Sequence, residues 1–173
     1  MSAYALKDAF ISECEQYRYT LVRDWNKAGD IRPRVRFVML NPSKADASVD
    51  DPTIRKCVGF ANRNGYGGIV VVNVFALRAT DPRSLVGYHG DRIGPQNNEW
   101  LTAELRDADV ILGWGAWGSH SLLRDDVVRF KTMLRYRKPR RVRCLGLTKE
   151  GEPRHPLMLA YTTPLEDFYA FHS

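Results

Sequence analysis

The feature that most constrains the fold is a run of apolar residues near the middle of the chain. Residues 69–75 are Ile-Val-Val-Val-Asn-Val-Phe, which is rich in β-branched side chains and apolar at every position except Asn73. Such a run is typical of a strand in a parallel sheet, where helices cover both faces. The run therefore predicts a buried strand, and it makes the polar Asn73 conspicuous.

Three further segments have the composition of buried strands, and helical segments separate them. Strands are predicted at 35–40, 110–114 and 141–147, and helices at 52–64, 96–107 and 119–135. We also predict an amphipathic opening helix at 3–17 and a closing helix at 164–171. Strands that alternate with helices imply right-handed βαβ crossovers. The sequence therefore predicts a three-layer α/β/α fold with a central four-stranded parallel sheet.

Two of the predicted helices carry start signals. Asp51 stands where it would cap the first helix, with Pro52 at the first helical position and Gly65 as the stop. Ser119 is the expected cap of the helix at 119–135. Both signals place a helix directly after the loop that follows a strand.

Length and composition favour a single domain that spans residues 1–173. The first eight residues lack the apolar core of a signal peptide, and no apolar run approaches the roughly 20 residues that cross a bilayer. We therefore expect a cytoplasmic protein with no membrane partner. Cys14, Cys57 and Cys144 are far apart and odd in number, so we expect no metal site and no disulfide framework.

The charge pattern favours a polyanionic partner. The formal net charge is +6, and six basic residues lie within 135–143 with Tyr136 among them. The same cluster also fits a solvated turn, because cations are favourable at the end of a helix. Lys149 and Arg154 stand close to His155, where contacts to phosphate would fix the register of a bound strand.

Polar residues follow the predicted strands where these strands end. Asn41-Pro42-Ser43 follows the first strand, Asn73 lies in the second, and His155-Pro156-Leu157 follows the fourth. In an open α/β sheet, ligands bind outside the carboxyl ends of the strands. Asn73 either bonds a neighbouring loop or meets the polar edge of a ligand, because an unpaired buried amide costs about 1–3 kcal/mol. Asn41 and His155 also fit an ordinary turn and an exposed loop.

Other side chains near these strand ends could act on a ligand. Trp117 lies among glycines after the third strand and could stack on a base, whereas Trp114 fits the core. Asp46 and Asp50 are candidates for orienting a water molecule, and Asp51 is interpreted as the helix cap.

The order of these motifs resembles that of the uracil-DNA glycosylase superfamily. The matching segments are Leu-Asn-Pro-Ser at 40–43, Val-Val-Val-Asn at 70–73 and His-Pro-Leu at 155–157. More locally, residues 39–43, 51–55, 73–82 and 155–157 resemble the bacterial and phage family called DUF1643. The resemblance implies a fold like that of uracil-DNA glycosylases. It also implies a monofunctional enzyme that needs no metal or other cofactor and leaves an abasic site.

The resemblance implies roles for individual residues. Asn41 would position the attacking water, aided by Asp46 or Asp50. Asn73 would bind the flipped base, and His155 would stabilise negative charge on the departing pyrimidine. The remaining expected contacts are Ser43, Phe75 and Trp117 to the base, and Lys149, Arg154, Arg78 and the wedge Leu157 to DNA.

Two departures from the superfamily pattern bear on the substrate. The late loop lacks the Ser of His-Pro-Ser-Pro, and Ser43 stands where strict uracil enzymes have a Tyr that blocks the pyrimidine 5-position. A small residue there implies a 5-modified pyrimidine as substrate. The chain in this respect resembles antiviral glycosylases that excise glucosylated hydroxymethylcytosine from phage DNA. DNA would be its partner, and we expect a monomer.

Three other functions fit the same residues. An enzyme that hydrolyses or transfers the N-glycosidic bond of free nucleotides would use Asn73 and His155 without a need for Arg154 and Lys149. A catalytically silent reader of modified bases would bind DNA even after His155→Ala. A protein-interaction domain would use Asn41, Asn73 and His155 only to stabilise its fold.

Overall fold

The computed structural model describes residues 4–43 and 45–168. Within these ranges the strands are β1 (Leu6–Ile11), β2 (Arg18–Asp24), β3 (Arg34–Met39), β4 (Gly68–Asn73), β5 (Asp109–Leu112), β6 (Arg141–Cys144) and β7 (Glu166–Asp167). The α-helices are α1 (Pro52–Arg63), α2 (Arg83–Val86), α3 (Asn97–Leu105) and α4 (Arg124–Tyr136). The strands form one sheet in the spatial order β1-β2-β4-β3-β5-β6-β7.

The core lies on both faces of this sheet. Successive residues of a strand point to opposite faces. Ile69 and Val71 of β4 therefore pack on the side of α1, and Val70 and Val72 pack on the side of α3 and α4. All six residues of β4 are buried, as its apolar run predicts. Helices on both faces of one mixed sheet confirm the α/β class.

The sheet has seven strands, whereas the sequence predicted four. Strands β4, β3, β5 and β6 pair in parallel, and antiparallel strands extend both sides of this group. Strands β1 and β2 lie beyond β4, and β7 lies beyond β6. The added strands are joined to the sheet by pairing between distant segments, which a local apolar pattern does not reveal.

The predicted opening helix at 3–17 is wrong. Its described part contains β1, which pairs antiparallel with β2 so that Ala9 faces Leu21. The prediction rested on the helical spacing of Leu6, Phe10, Cys14 and Tyr17. Of these only Leu6 and Phe10 lie in β1, and their spacing of four residues also fits the two-residue period of a strand. The sequence pattern was therefore ambiguous, and pairing with β2 decides the structure.

The predicted closing helix at 164–171 is also wrong where the structure describes it. Glu166 and Asp167 form β7 and pair with the end of β6, with Glu166 opposite Cys144. Residues 169–171 of that prediction lie outside the described part of the chain. A two-residue edge strand is too short to produce a periodic sequence signal.

The start signal of α1 is confirmed, and that of α4 is wrong. The Asp51 Oδ1 atom accepts a hydrogen bond of 2.8 Å from the Ile54 amide, and Pro52 begins the helix. Ser119 instead ends a turn of 3₁₀ helix at Ala116–Ser119, where its hydroxyl donates to the Ala116 carbonyl. Helix α4 begins five residues later, at Arg124.

The chain order creates a crevice in the middle of the sheet. Strand β3 leads into α1 on one face, and its neighbour β5 leads towards α4 on the other face. Connections that leave adjacent parallel strands in opposite directions open a space at the carboxyl ends of those strands. None of the helices among the described residues has the length and apolar character needed to span a bilayer.

Candidate active site

A cavity of about 300 Å³ lies at the carboxyl ends of the parallel strands. This volume is at the lower end of the range for small-molecule sites, which is about 300–1,000 Å³. The cavity brings together six of the predicted site residues, which are Asn41, Ser43, Asn73, Trp117, His155 and Leu157. The crevice between β3 and β5 thus contains most of the side chains that the sequence motifs singled out.

Asn73 is the last residue of β4, and its side chain is buried in the cavity wall. The residue is 1 % exposed, and neither its Oδ1 nor its Nδ2 has a hydrogen-bond partner among the described residues. Its backbone, in contrast, is well bonded, since the Asn97 amide donates to the Asn73 carbonyl over 3.1 Å. A buried amide with two unpaired polar atoms is a group that a bound ligand would satisfy.

His155 lies on the loop after β6, and a hydrogen bond to its ring defines which nitrogen carries the proton. The Nδ1 atom accepts a hydrogen bond of 3.2 Å from the Leu157 amide. Burial lowers the pKa of His155 below its ordinary value of 6.5, and the nearby carboxylate of Asp51 opposes this shift. The ring is therefore neutral at pH 7, and its proton resides on Nε2, which makes that atom a hydrogen-bond donor.

The loop that carries His155 is held against the turn after β5. The Gly115 amide donates to the Pro153 carbonyl over 2.8 Å. Gly115 has a φ of 76°, and a Cβ at this position would lie 3.1 Å from the Cβ of His155. Both the backbone angle and the close approach therefore require glycine here.

A buried ion pair fixes the same loop to α4. Glu152 accepts a hydrogen bond of 2.6 Å from the indole Nε1 of Trp114 and one of 2.9 Å from the Lys131 ammonium. Glu152 is itself buried. These contacts join the late loop, the end of β5 and α4, so the position of His155 depends on all three.

Asn41 and Ser43 connect the turn after β3 to its surroundings. The Asn41 Nδ2 atom donates to the Ala79 carbonyl over 2.6 Å and to the Pro42 carbonyl over 3.1 Å. The Ser43 hydroxyl donates to Oδ2 of Asp51. The amide nitrogen of Asn41 is thus used by the protein, whereas no described residue donates to its Oδ1, which remains able to accept a hydrogen bond from water.

Asp46 and Asp50, the predicted water-orienting carboxylates, are not part of the cavity lining. Hydrogen bonds from the Ser48 and Val49 amides and from the Ser48 hydroxyl lower the pKa of Asp46 to about 2. Asp50 accepts 2.7 Å hydrogen bonds from the Arg23 guanidinium and the Tyr4 hydroxyl. Both carboxylates therefore stabilise the loop before α1 instead of facing the cavity.

Arg18 lines the cavity, although the sequence analysis did not select it. It is 2 % exposed, its Nη1 donates to the Ala45 carbonyl over 2.6 Å, and its Nε has no partner among the residues described. Burial lowers the pKa of Arg18 to about 10, and Asp51 opposes this shift, so the guanidinium is charged at pH 7. Arg18 begins a strand of mixed polarity, Arg-Tyr-Thr-Leu-Val-Arg-Asp, and the segment before it was predicted to be a helix, so no local signal singled it out.

The remaining predicted contacts lie around the cavity or away from it. Phe75 is buried in the core, where the Arg92 guanidinium lies 5.6 Å from its ring centre. Arg78 lines a shallow groove that shares Ser43 with the cavity wall, and it donates to the Glu15 carbonyl. Lys149 and Arg154 are exposed on the loop that leads to His155.

The basic cluster at 135–143 lies at the opposite end of the sheet from the cavity. Arg140 and Arg141 pair with Asp109, the first residue of β5, over 2.9 and 3.1 Å. Arg143 donates to the Tyr66 hydroxyl. Several charges of the cluster are therefore used in structural contacts at the amino ends of β5 and β6. A search of the described residues for groups of His, Cys, Asp or Glu suited to a metal ion found none.

Comparison with known proteins identifies the family of the chain. A comparison with curated proteins found no match, and a comparison with solved structures found no match either. A family model described as "Protein of unknown function (DUF1643)" matches residues 18–157, from the start of β2 to the loop that carries His155. Because this match covers more than half of the 173 residues, the chain belongs to the DUF1643 family.

Proposed function

We propose that the chain is a DNA glycosylase that hydrolyses the N-glycosidic bond of a 5-modified pyrimidine and leaves an abasic site. The observation that carries this proposal is the unpaired amide of Asn73 inside the cavity. A pyrimidine offers neighbouring donors and acceptors along its Watson–Crick edge, and an amide offers one of each. A flipped base would therefore supply the hydrogen bonds that both polar atoms of Asn73 lack.

His155 supplies the stabilisation that breaking the glycosidic bond requires. As the bond to the sugar breaks, negative charge develops on the base. The neutral ring of His155 offers its Nε2 proton to that charge, because Nδ1 already accepts from the Leu157 amide. A preorganised donor of this kind contributes about 3–4 kcal/mol to transition-state stabilisation in other enzymes.

The other cavity residues fit binding of a base and a water molecule. Trp117 lines the cavity, and its ring stacks on His120 with a ring separation of 5.3 Å. This contact holds the indole in place, where it can stack on a base. The free Oδ1 of Asn41 can accept a hydrogen bond from the attacking water and so position it. Ser43 is small, which supports room for a 5-substituent, and modified phage DNA as the substrate would make the activity antiviral.

The DNA part of the proposal rests on the exposed cations near the cavity. Arg154 is exposed and directly precedes His155, Lys149 is exposed on the same loop, and Arg78 lines the adjoining groove. Contacts to phosphate from these side chains would orient the strand from which the base is flipped. We propose that the protein acts as a monomer.

The test is abasic-site formation on DNAs that carry cytosine, uracil, thymine, hydroxymethylcytosine or glucosylated hydroxymethylcytosine. Wild-type protein should release one modified base, and His155→Ala and Asn41→Ala should lose this activity while they remain folded. His89→Ala is the matched control, because His89 is exposed and does not line the cavity. Absence of product from folded wild-type protein on every DNA would overturn the proposal.

A second candidate is an enzyme that cleaves the N-glycosidic bond of free nucleotides. The placement of the basic cluster at the far end of the sheet favours it, because those charges cannot bind a DNA strand at the cavity. Charge reversal at Lys149 and Arg154 separates the two functions. It should abolish base release from DNA, whereas it should leave hydrolysis of a free nucleotide unchanged.

A further inference from the structure

Asp51 is the one carboxylate in the described lining of the cavity. Its Oδ1 accepts from the Ile54 amide, and its Oδ2 accepts from the Ser43 hydroxyl. We propose that Asp51 is the general base that activates the attacking water, with Ser43 as its positioning partner. This inference rests on the proposed glycosylase function and names the group that would take the proton.

A buried cation and a helix N-terminus lie close to Asp51. The guanidinium of Arg18 attracts it through the buried wall of the cavity, and the N-terminus of α1 adds a favourable dipole. Two buried, unpaired polar groups in the same cavity, the amide of Asn73 and the Nε of Arg18, independently indicate that a ligand binds there.

The other carboxylates of this region cannot take the same role. Asp46 uses its Oδ1 to accept from the Ser48 and Val49 amides, and Asp50 is paired with Arg23 and Tyr4. Neither lines the cavity. Of these three carboxylates, only Asp51 both caps α1 and lines the cavity, so only Asp51 is placed to act on a ligand there.

The reaction step balances without any further reagent. Asp51 takes a proton from water as the water oxygen bonds to C1′ of the sugar. The bond from C1′ to the base nitrogen breaks, and its electron pair moves onto the base, where His155 Nε2–H stabilises it. The proton on Asp51 then passes to the base nitrogen, which gives the free base and the abasic sugar.

The test separates catalysis from helix capping through the choice of substitution. Asp51→Asn keeps a side-chain oxygen for the Ile54 amide, and Asn is as good a cap as Asp. It removes the proton acceptor, so single-turnover base release should fall at least about 100-fold while the variant remains folded. Asp46→Asn is the matched control and should retain the wild-type rate.

Ser43 requires a measurement that a merely structural role would not affect. Ser43→Ala leaves the Ile54 amide bonded to Asp51, so α1 keeps its cap. The turnover number should fall, and KM should not rise, because the hydroxyl orients the Asp51 carboxylate and not the substrate. A rise in KM at constant turnover would show that Ser43 only contacts the substrate.

The outcomes distinguish this inference from the function on which it rests. Base release by wild type and by Asp51→Asn at equal rates would overturn the role of Asp51 and leave the glycosylase intact. Loss of activity in Asp51→Asn, with Asp46→Asn fully active, would support the role. Absence of product from wild-type protein would overturn both.

Discussion

Replacement of Asn73 by Leu should make the ligand-free protein more stable while it removes base recognition. Leu has the same branched shape as Asn, so Asn73→Leu fills the same space without the two polar atoms. Each of those atoms is buried and unpaired among the described residues. Because an unsatisfied buried polar group costs about 1–3 kcal/mol, we expect the free energy of unfolding to rise by about that amount. For a chain of this length, this corresponds to about 2–4 °C in melting temperature for each kcal/mol.

The matched control is the same substitution at Asn97, which is equally buried. The Nδ2 of Asn97 donates to the Asn73 and Val74 carbonyls over 3.1 Å. Asn97→Leu leaves both carbonyls without that donor, and this loss should outweigh the gain from removing the buried, unpaired Oδ1 of Asn97, so the protein should be destabilised. Urea denaturation of both variants, without ligand, measures the two changes. A loss of stability in Asn73→Leu similar to that in Asn97→Leu would refute the reasoning, since it would mean that the Asn73 amide is already bonded.

Two further predictions concern pH. Although burial raises it, hydrogen bonds from Arg140, Arg141 and Tyr66 bring the pKa of Asp109 down to about 2. Its stabilisation is therefore complete above an unfolded pKa of about 3.9 and is lost as the pH falls towards 2. Asp109→Asn should cost about 1–2 kcal/mol of unfolding free energy at pH 7 after screening of the exposed arginines. The difference between the urea midpoints of wild type and variant should shrink at pH 2, and an equal difference at both pH values would contradict this. For His155, burial lowers the folded pKa, so stability from its neutral form is present above about pH 6.5 and is lost as the pH falls below that value. Base release should likewise keep its rate down to about pH 6.5, and an NMR titration midpoint for His155 above that value would contradict the assignment.

The parts of the fold that follow from local sequence were predictable. A short run of β-branched apolar residues is typical of a strand covered on both faces, so β4 could be located from composition. Asp51-Pro52 fixed the start of α1 because both residues act within one helical turn. Strand β2 depends on pairing with the distant β4, and β7 depends on pairing with β6. Within β1, the spacing of four residues between Leu6 and Phe10 fits a helix and a strand equally well.

For the candidate site, the sequence predicted the residues that follow strand ends, and these line the cavity. Asn41, Asn73 and His155 follow strand ends, and a parallel sheet brings such ends to one edge. The direction in which a loop carboxylate faces was not predictable. Asp46 and Asp50 turn away because they bond to the loop and to Arg23, and no local pattern encodes those partners.

The walls of the cavity come from nearly the whole length of the chain. Arg18 belongs to β2, Asn73 to β4 and His155 to the loop after β6, so the first and last of these are 137 residues apart in sequence (155 − 18). A polypeptide emerging from the ribosome has no complete site until the final segment has docked on the sheet. Synthesis itself therefore delays completion of the cavity until the loop that carries His155 has been made.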